Sequence, residues 1–295
     1  MLGYILILSA AVFWGLSAVL SKYMGKIFTV DALLLSQARV TFGWIFLLVG
    51  LLFFRRDALR VQAGDLWRFA LLGLIGFAGA NFLLYFAFKG MDVAVADLIQ
   101  FTAPAIVVAW MAMRGCEPLD TPKLIALLLS LIGCALALGV FDAVWRIAAP
   151  IYLYSAAASA LAYAFLLIWG KTLTAQYSML TFLHYALLGA VLFWCCVVPP
   201  WQFAGELISA PARAGMLVVF GLISVLAPYL LFFSGLKHIS ASRAGIVSTF
   251  EPVVVAAGGA LVLREHLGGW QFAGMGLVLV AIAVLELTSK RYGNV

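Results

Sequence analysis

Residues 89–117 read KGMDVAVADLIQFTAPAIVVAWMAMRGCE, and residues 237–265 read KHISASRAGIVSTFEPVVVAAGGALVLRE. Sliding the chain on itself by 148 positions lays Lys89 on Lys237, Ala96 on Ala244, Pro104 on Pro252 and Glu117 on Glu265. Upstream, Gly73-Leu74-Ile75 falls on Gly221-Leu222-Ile223, and at an offset of 149 Trp14 meets Tyr163 and Lys22 meets Lys171. Matching leucines mean little in an apolar chain. Lys, Pro and Glu are scarce here, and their coincidence marks an internal repeat.

The chain has 295 residues, 66% hydrophobic and 10% charged. Soluble domains carry about 25% charged residues, so a water-soluble fold is excluded, as are disorder, collagen and coiled coil. Apolar runs lie near 3–23, 32–54, 67–87, 93–113, 123–141, 148–169, 178–198, 213–235, 242–263 and 269–288. Each is long enough to cross about 30 Å of hydrocarbon as a helix, which satisfies its own backbone polar groups. The first run has no cleavage-site pattern after it and is read as a retained span, not a signal peptide. The expected fold is an all-α membrane protein of ten transmembrane helices.

The repeat divides these runs five and five, into halves 1–145 and 146–295. An odd number of crossings sends the second half into the membrane from the opposite side, so the repeats are inverted around a central cavity near the midplane. Such symmetry suits a body that opens alternately to either face. Pro104 and Pro252 fall mid-span, where each removes a backbone hydrogen bond; they are candidate hinges, with static kinks as the plainer reading. With the N-terminus inside, the inner loops hold eleven basic residues: Arg55, Arg56, Arg60, Arg68, Arg114, Lys123, Lys171, Lys237, Arg243, Lys290 and Arg291. The outer loops hold six: Lys22, Lys26, Lys89, Arg146, Arg213 and Arg264. This bias puts both termini in the cytoplasm, and it accounts for the +6 net charge without nucleic-acid binding. Cys116, Cys134, Cys195 and Cys196 make no metal or disulfide spacing and read as small buried residues.

A polar side chain within hydrocarbon is costly, so each is a candidate site residue. Asn81 and Gln100 lie in the third and fourth runs, and their repeat mates are Tyr229 and Ser248. With Trp14 and Tyr163 they form an expected neutral, aromatic-rich ring that offers hydrogen bonds to an amine and a carboxylate and flat faces to an apolar side chain. Tyr85, one turn from Asn81, extends that face. The plainer role for all of them is interhelical hydrogen bonding and packing. His184, in the seventh run, reads equally as a core group or a substrate contact. Glu251, near the centre of the ninth run, needs a partner or a proton, and Arg39 of the second run is the candidate partner, in an ion pair or a coupling site. Glu286 near Lys290 and Arg291 is expected at the interface, Lys89 and Lys237 as anchors, and Glu117 and Glu265 as loop fasteners or gates.

The paired motifs carry a resemblance. The first copy reads Lys89-Gly90-Met91, Ala94 to Ala96, Pro104, Glu117 and Gly133; the second reads Lys237-His238-Ile239, Ala241 to Ala244, Pro252, Glu265 and Gly274. Ten spans in two such halves resemble the drug/metabolite transporter superfamily, specifically its EamA-type exporters and their aromatic amino-acid branch. The resemblance implies a basket of helices in a bacterial inner membrane, with the third, fourth, eighth and ninth spans lining the cavity. It implies alternating-access export of aromatic and other neutral amino acids. Glu251 stands where the first half has Ala103, a departure that leaves proton coupling open. No cofactor, metal or nucleic acid is expected, and the partners are a small-molecule substrate and the bilayer, with the chain a monomer. An intramembrane lipid-modifying enzyme is the rival, but His184, His238 and His266 lack an acid at helical spacing, and no GxGxxG, Walker or GxSxG pattern occurs. A passive channel is the other rival, and no ring of charges or filter-like loop supports it.

Overall fold

The computed structural model describes residues 1–27, 32–141, 147–209 and 211–292. The expected division between residues 145 and 146 and the side chain of Arg146 lie outside the described residues, as do the side chains of Lys26, Arg213, Lys290 and Arg291. Among the described residues, nine helices are long and apolar enough to span a membrane: Leu2–Gly25, Leu33–Phe54, Ala63–Ala87, Val93–Met113, Pro150–Gln176, Met179–Val197, Ala214–Leu236, Ala241–Leu263 and Gly269–Thr288. A shorter apolar helix, Thr121–Ala137, stands where the fifth span is expected. It stops short of the expected end because Gly139 takes φ 69°, a left-handed turn that closes the helix. The all-α, ten-helix fold is therefore present.

The molecule is apolar outside as well as inside. Phe53, Leu128, Leu161, Leu192 and Leu261 are all exposed, a belt no soluble monomer presents but one that lipid covers. The interior is built from small residues and aromatics, with Ala10, Ala38, Ala78, Ala160 and Ala186 fully buried beside Phe77, Phe182 and Phe233. Without a hydrophobic drive between helices in lipid, close approach and dispersion hold the bundle.

Exchanging the two halves maps the packing onto itself. The first span packs on the eighth and the sixth on the third; the second packs on the eighth and the seventh on the third; the first packs on the ninth and the sixth on the fourth. The second–seventh, fourth–ninth and fifth–tenth contacts are their own mates. Glycines set several crossings. A Cβ on Gly133 would lie 2.9 Å from the Gly274 carbonyl oxygen, so the fifth and tenth spans touch backbone to backbone. On the third span a Cβ at Gly73 would sit 2.3 Å from the Ala186 carbonyl, and at its mate Gly221 one would sit 3.0 Å from the Arg39 carbonyl. Both spans relax into a π-helical stretch at these glycines, Leu72–Gly79 around Gly73 and Leu222–Leu226 directly after Gly221.

The prolines act differently from the mid-span kinks expected. The fourth span is broken into Val93–Gln100 and Ala103–Met113, and the ninth into Ala241–Ser248 and Glu251–Leu263. Pro104 and Pro252 each lie in the first turn of the second piece, where a missing N–H leaves nothing unpaired. At the breaks, Thr102 Oγ1 donates to the Ile99 carbonyl and Thr249 Oγ1 to the Ile246 carbonyl, both at 2.6 Å, each beside the same threonine's backbone N–H on that carbonyl. The cysteine expectation also needs correcting: Cys134 is buried and Cys195 is half-buried against the core, but Cys116, in a turn, and Cys196, which points away from Cys195 on the same helix, are exposed.

Candidate functional site

The broken helices and the π-helical stretches enclose a cavity of about 280 Å³. Its lining includes Trp14, Arg39, Phe77, Asn81, Tyr85, Asp97 and Gln100 from the first half, and Tyr163, Ser224, Tyr229, Glu251 and Pro252 from the second. The third, fourth, eighth and ninth spans contribute, as expected, joined by the first, second and sixth. Irregular backbone at this depth is tolerated because it faces a cavity rather than lipid.

Six of the eight expected substrate contacts meet there: Trp14, Asn81, Tyr85, Gln100, Tyr163 and Tyr229. Asn81 and Gln100 also tie helices together. Gln100 Nε2 donates to Ser159 Oγ at 2.6 Å, whose hydroxyl donates on to the Ala80 carbonyl at 2.8 Å, linking the fourth, sixth and third spans. Asn81 Nδ2 donates to the Phe77 carbonyl at 2.8 Å, while its Oδ1 accepts from Arg39 Nη2. Ser248 is not in the lining: it stands behind Tyr163 and bonds the Gly245 carbonyl at 2.7 Å at the end of its half-helix. His184 is not in the lining either. It is buried between the second and seventh spans, its ring stacked on Trp44 with centroids 6.0 Å apart and its Nδ1 without a partner.

Two corrections concern charge. The ring is not neutral, for Arg39, Asp97 and Glu251 all belong to it. The Arg39–Glu251 ion pair does not form: among the described residues the ion pairs are Lys22–Glu265, Arg55–Asp57, Arg68–Asp65 and Lys123–Glu117. Arg39 is drawn instead to Asn81 and over the Tyr85 ring, 5.9 Å from its centroid, because both lie on the third-span face it meets. Asp97 escaped the sequence reading, although its signal was plain: an acid inside an apolar run, one turn before Gln100.

The cavity is open at one end and shut at the other. At the open end it reaches Lys22, Val93 and Leu138, and shares them with a vestibule lined by Asp92, Glu265, His266 and Gln271. At the shut end the Tyr229 ring sits 4.6 Å from Phe77 and 5.3 Å from Trp14, with Phe182 and Phe233 4.6 Å apart behind them. Beyond this plug Lys123 pairs with Glu117 at 3.3 Å, and Lys171 Nζ donates to the Leu236 and Ile239 carbonyls.

A ten-helix bundle whose two halves share one polar cavity, sealed toward one end, fits a membrane transporter. The chain belongs to the EamA-like transporter family, whose model matches residues 1–139 and again residues 150–287. It is 27% identical over 98% of its length, and 96% of the relative's, to the uncharacterised inner-membrane transporter YicL of Salmonella typhimurium. It is 26% identical over 76% of its length, and 74% of the relative's, to protein PecM of Dickeya dadantii. A crystal structure at 20% identity superposes with a TM-score of 0.79 over 98% of both chains, a likeness of fold. The protein is a membrane transporter.

Proposed function

We propose that this transporter exports small amphipathic metabolites, most of all aromatic and other neutral amino acids, across a bacterial inner membrane by alternating access. The observation that carries the reading is the composition of the cavity. A guanidinium, two carboxylates and the aromatic faces of Trp14, Tyr85, Tyr163 and Tyr229 line one space of about 280 Å³, near the lower end of small-ligand sites. An amino acid offers a carboxylate for Arg39, an ammonium for Asp97 or Glu251, and a side chain for the rings. With both termini cytoplasmic, the open end faces outward. The halves 1–145 and 146–295 then act as the two moving units, working as a monomer in the bilayer.

The test is counterflow in liposomes. Protein loaded with unlabelled phenylalanine should accumulate labelled phenylalanine transiently, saturably, and more weakly in Asn81→Ala and Gln100→Ala at equal amounts of folded protein. Absence of counterflow with every aromatic and branched amino acid, in a monodisperse preparation, would sink the substrate assignment. Flux that never saturates would point to a channel instead.

A further inference from the structure

Asp97 and Glu251 approach the cavity from the broken spans of opposite halves. Asp97 lies on the half-helix Val93–Gln100, and Glu251 is the first residue of the half-helix Glu251–Leu263. Among the described residues neither carboxylate has a hydrogen-bond donor or an ion pair, and both face the cavity. The lining also holds two cations, Lys22 at the mouth and Arg39. Arg39 Nη2 is committed to Asn81, and its buried Nε has no partner.

Of the other charged groups around them, Lys22 is offset by its own partner Glu265. Glu251 feels Asp97 and Arg39, and the neighbouring Tyr163, Tyr229 and Cys134 are neutral near pH 7. Asp97 feels Lys22 and Asp92 toward the mouth. Lys22 is paired with Glu265 at 3.4 Å, and Asp92 accepts from the Ala94 N–H at 2.9 Å as the cap of its helix, where the helix dipole favours a negative charge. Taking Lys22 and Glu265 at the mouth as a neutral pair, the lining with both acids ionised leaves Arg39 alone against two negative charges. In a site walled by hydrocarbon-embedded helices an uncompensated charge is strongly disfavoured, and two carboxylates that share a space do not both ionise freely.

We infer that Asp97 and Glu251 share a single proton that keeps the cavity neutral, and that a cationic amine exchanges for this proton whereas a zwitterion does not. The inference rests on the cavity being the substrate site. Charge balance then fixes a distinct count for each of three ligands with the same phenyl group. Phenethylammonium brings one positive charge, so the proton leaves to solvent and the amine lies between two carboxylates. Phenylalanine is neutral overall, so the proton stays on one acid while the ammonium meets the other and the carboxylate meets Arg39. Phenylpropionate brings one negative charge and binds with uptake of one further proton. The two carboxylates thereby act as a single acid whose macroscopic titration belongs to the pair.

Calorimetric titration of the purified full chain at pH 7, in two buffers of different ionisation enthalpy, reads these counts directly. The expected result is one proton released per phenethylamine, none per phenylalanine and one taken up per phenylpropionate. In Asp97→Asn and in Glu251→Gln the site is neutral without a proton, and release on binding phenethylamine should vanish. Phenethylamine that binds the wild type with no release overturns the inference and leaves the substrate reading intact. If none of the three ligands binds, the substrate reading fails, and infrared spectroscopy still decides the shared proton. A carbonyl stretch from a protonated carboxylic acid at pH 7, absent from both single variants, sustains it. Absence of that band from the folded wild type overturns it.

Discussion

The two ends of the molecule are built from the same positions of the repeat and have opposite characters. At the shut end, Phe232 and Phe233 are fully buried, Phe233 closing against Phe182 and Tyr229. Their mates at an offset of 148, Leu84 and Tyr85, line the open cavity. Glu117 is nearly buried, with Lys123 at 3.3 Å and the Ser242 N–H at 3.4 Å, and the side chains of that ion pair are 12% and 4% exposed. Its mate Glu265 pairs with Lys22 at 3.4 Å, and those side chains are 42% and 49% exposed. Lys171 points its ammonium at the carbonyls of Leu236 and Ile239, whereas its mate Lys22 leaves the equivalent carbonyls for Glu265. Sequence symmetry thus describes the scaffold, and the departure from it in side-chain contacts describes the state the scaffold is in.

The largest expected contrast is in solvent access. In a background lacking Cys116, Cys134, Cys195 and Cys196, a cysteine at position 85 should react with a membrane-impermeant maleimide and one at position 233 should not. Equal labelling of Tyr85→Cys and Phe233→Cys in folded protein would erase the distinction between open and shut ends. Saturating phenylalanine should slow the first reaction by occupying the cavity.

Next in size is the difference between the two glutamates. Glu117→Ala leaves the buried Lys123 ammonium with only the Pro118 carbonyl at 2.7 Å. Removing one partner of a buried pair costs about 3–5 kcal/mol. Glu265→Ala breaks an exposed pair, for which about 0–1 kcal/mol is expected. Thermal unfolding in detergent should therefore separate the two variants clearly, with Glu117→Ala far below Glu265→Ala. Matching midpoints would mean that the two ends are energetically equivalent and that the asymmetry carries no stability.

The glycine crossings give a smaller, graded contrast. A Cβ at Gly73 meets the Ala186 carbonyl at 2.3 Å and the Ala190 nitrogen at 2.8 Å, both backbone atoms that cannot swing away. At Gly221 the nearest atom is the Phe42 Cβ at 2.8 Å, with the Arg39 carbonyl at 3.0 Å. Overpacking costs about 1–3 kcal/mol, so Gly73→Ala should fall at the upper end and Gly221→Ala below it. The reverse order in the same unfolding assay would mean that the third span shifts more easily than the eighth.

Much of this was legible in the sequence because the informative residues were rare. Lys, Pro and Glu recurring at one offset gave the halves, and the halves gave the inversion. Other features depended on quantities that sequence spacing does not carry. A proline in an apolar run is compatible with a kink or with the first turn of a new helix, and the interruption of each span just before its proline distinguishes them. His184 sits on a span that is apolar all round, so periodicity does not fix which face turns inward; the second span, through Trp44, decided it. Asp97 has no counterpart in the repeat, since its matching position is Gly245, so only its charge inside an apolar run points to it.

The smallest expected effect concerns the mouth. Lys22 and Glu265 are about half exposed and 3.4 Å apart, and a double-mutant cycle through Lys22→Met and Glu265→Gln should return a coupling of no more than about 1 kcal/mol that fades with added salt. Stability is the wrong place to look for what this pair does. Lys22 lines both the cavity and the vestibule, so its charge lies on the path to Asp97 and Glu251. In Lys22→Met the approach of phenethylamine should quicken and that of phenylpropionate should slow, with phenylalanine least affected, and the differences should shrink as ionic strength rises. If all three ligands keep their wild-type association rates at low salt while folding is unchanged, the open end is not their route, and the contrast between the two ends describes packing alone.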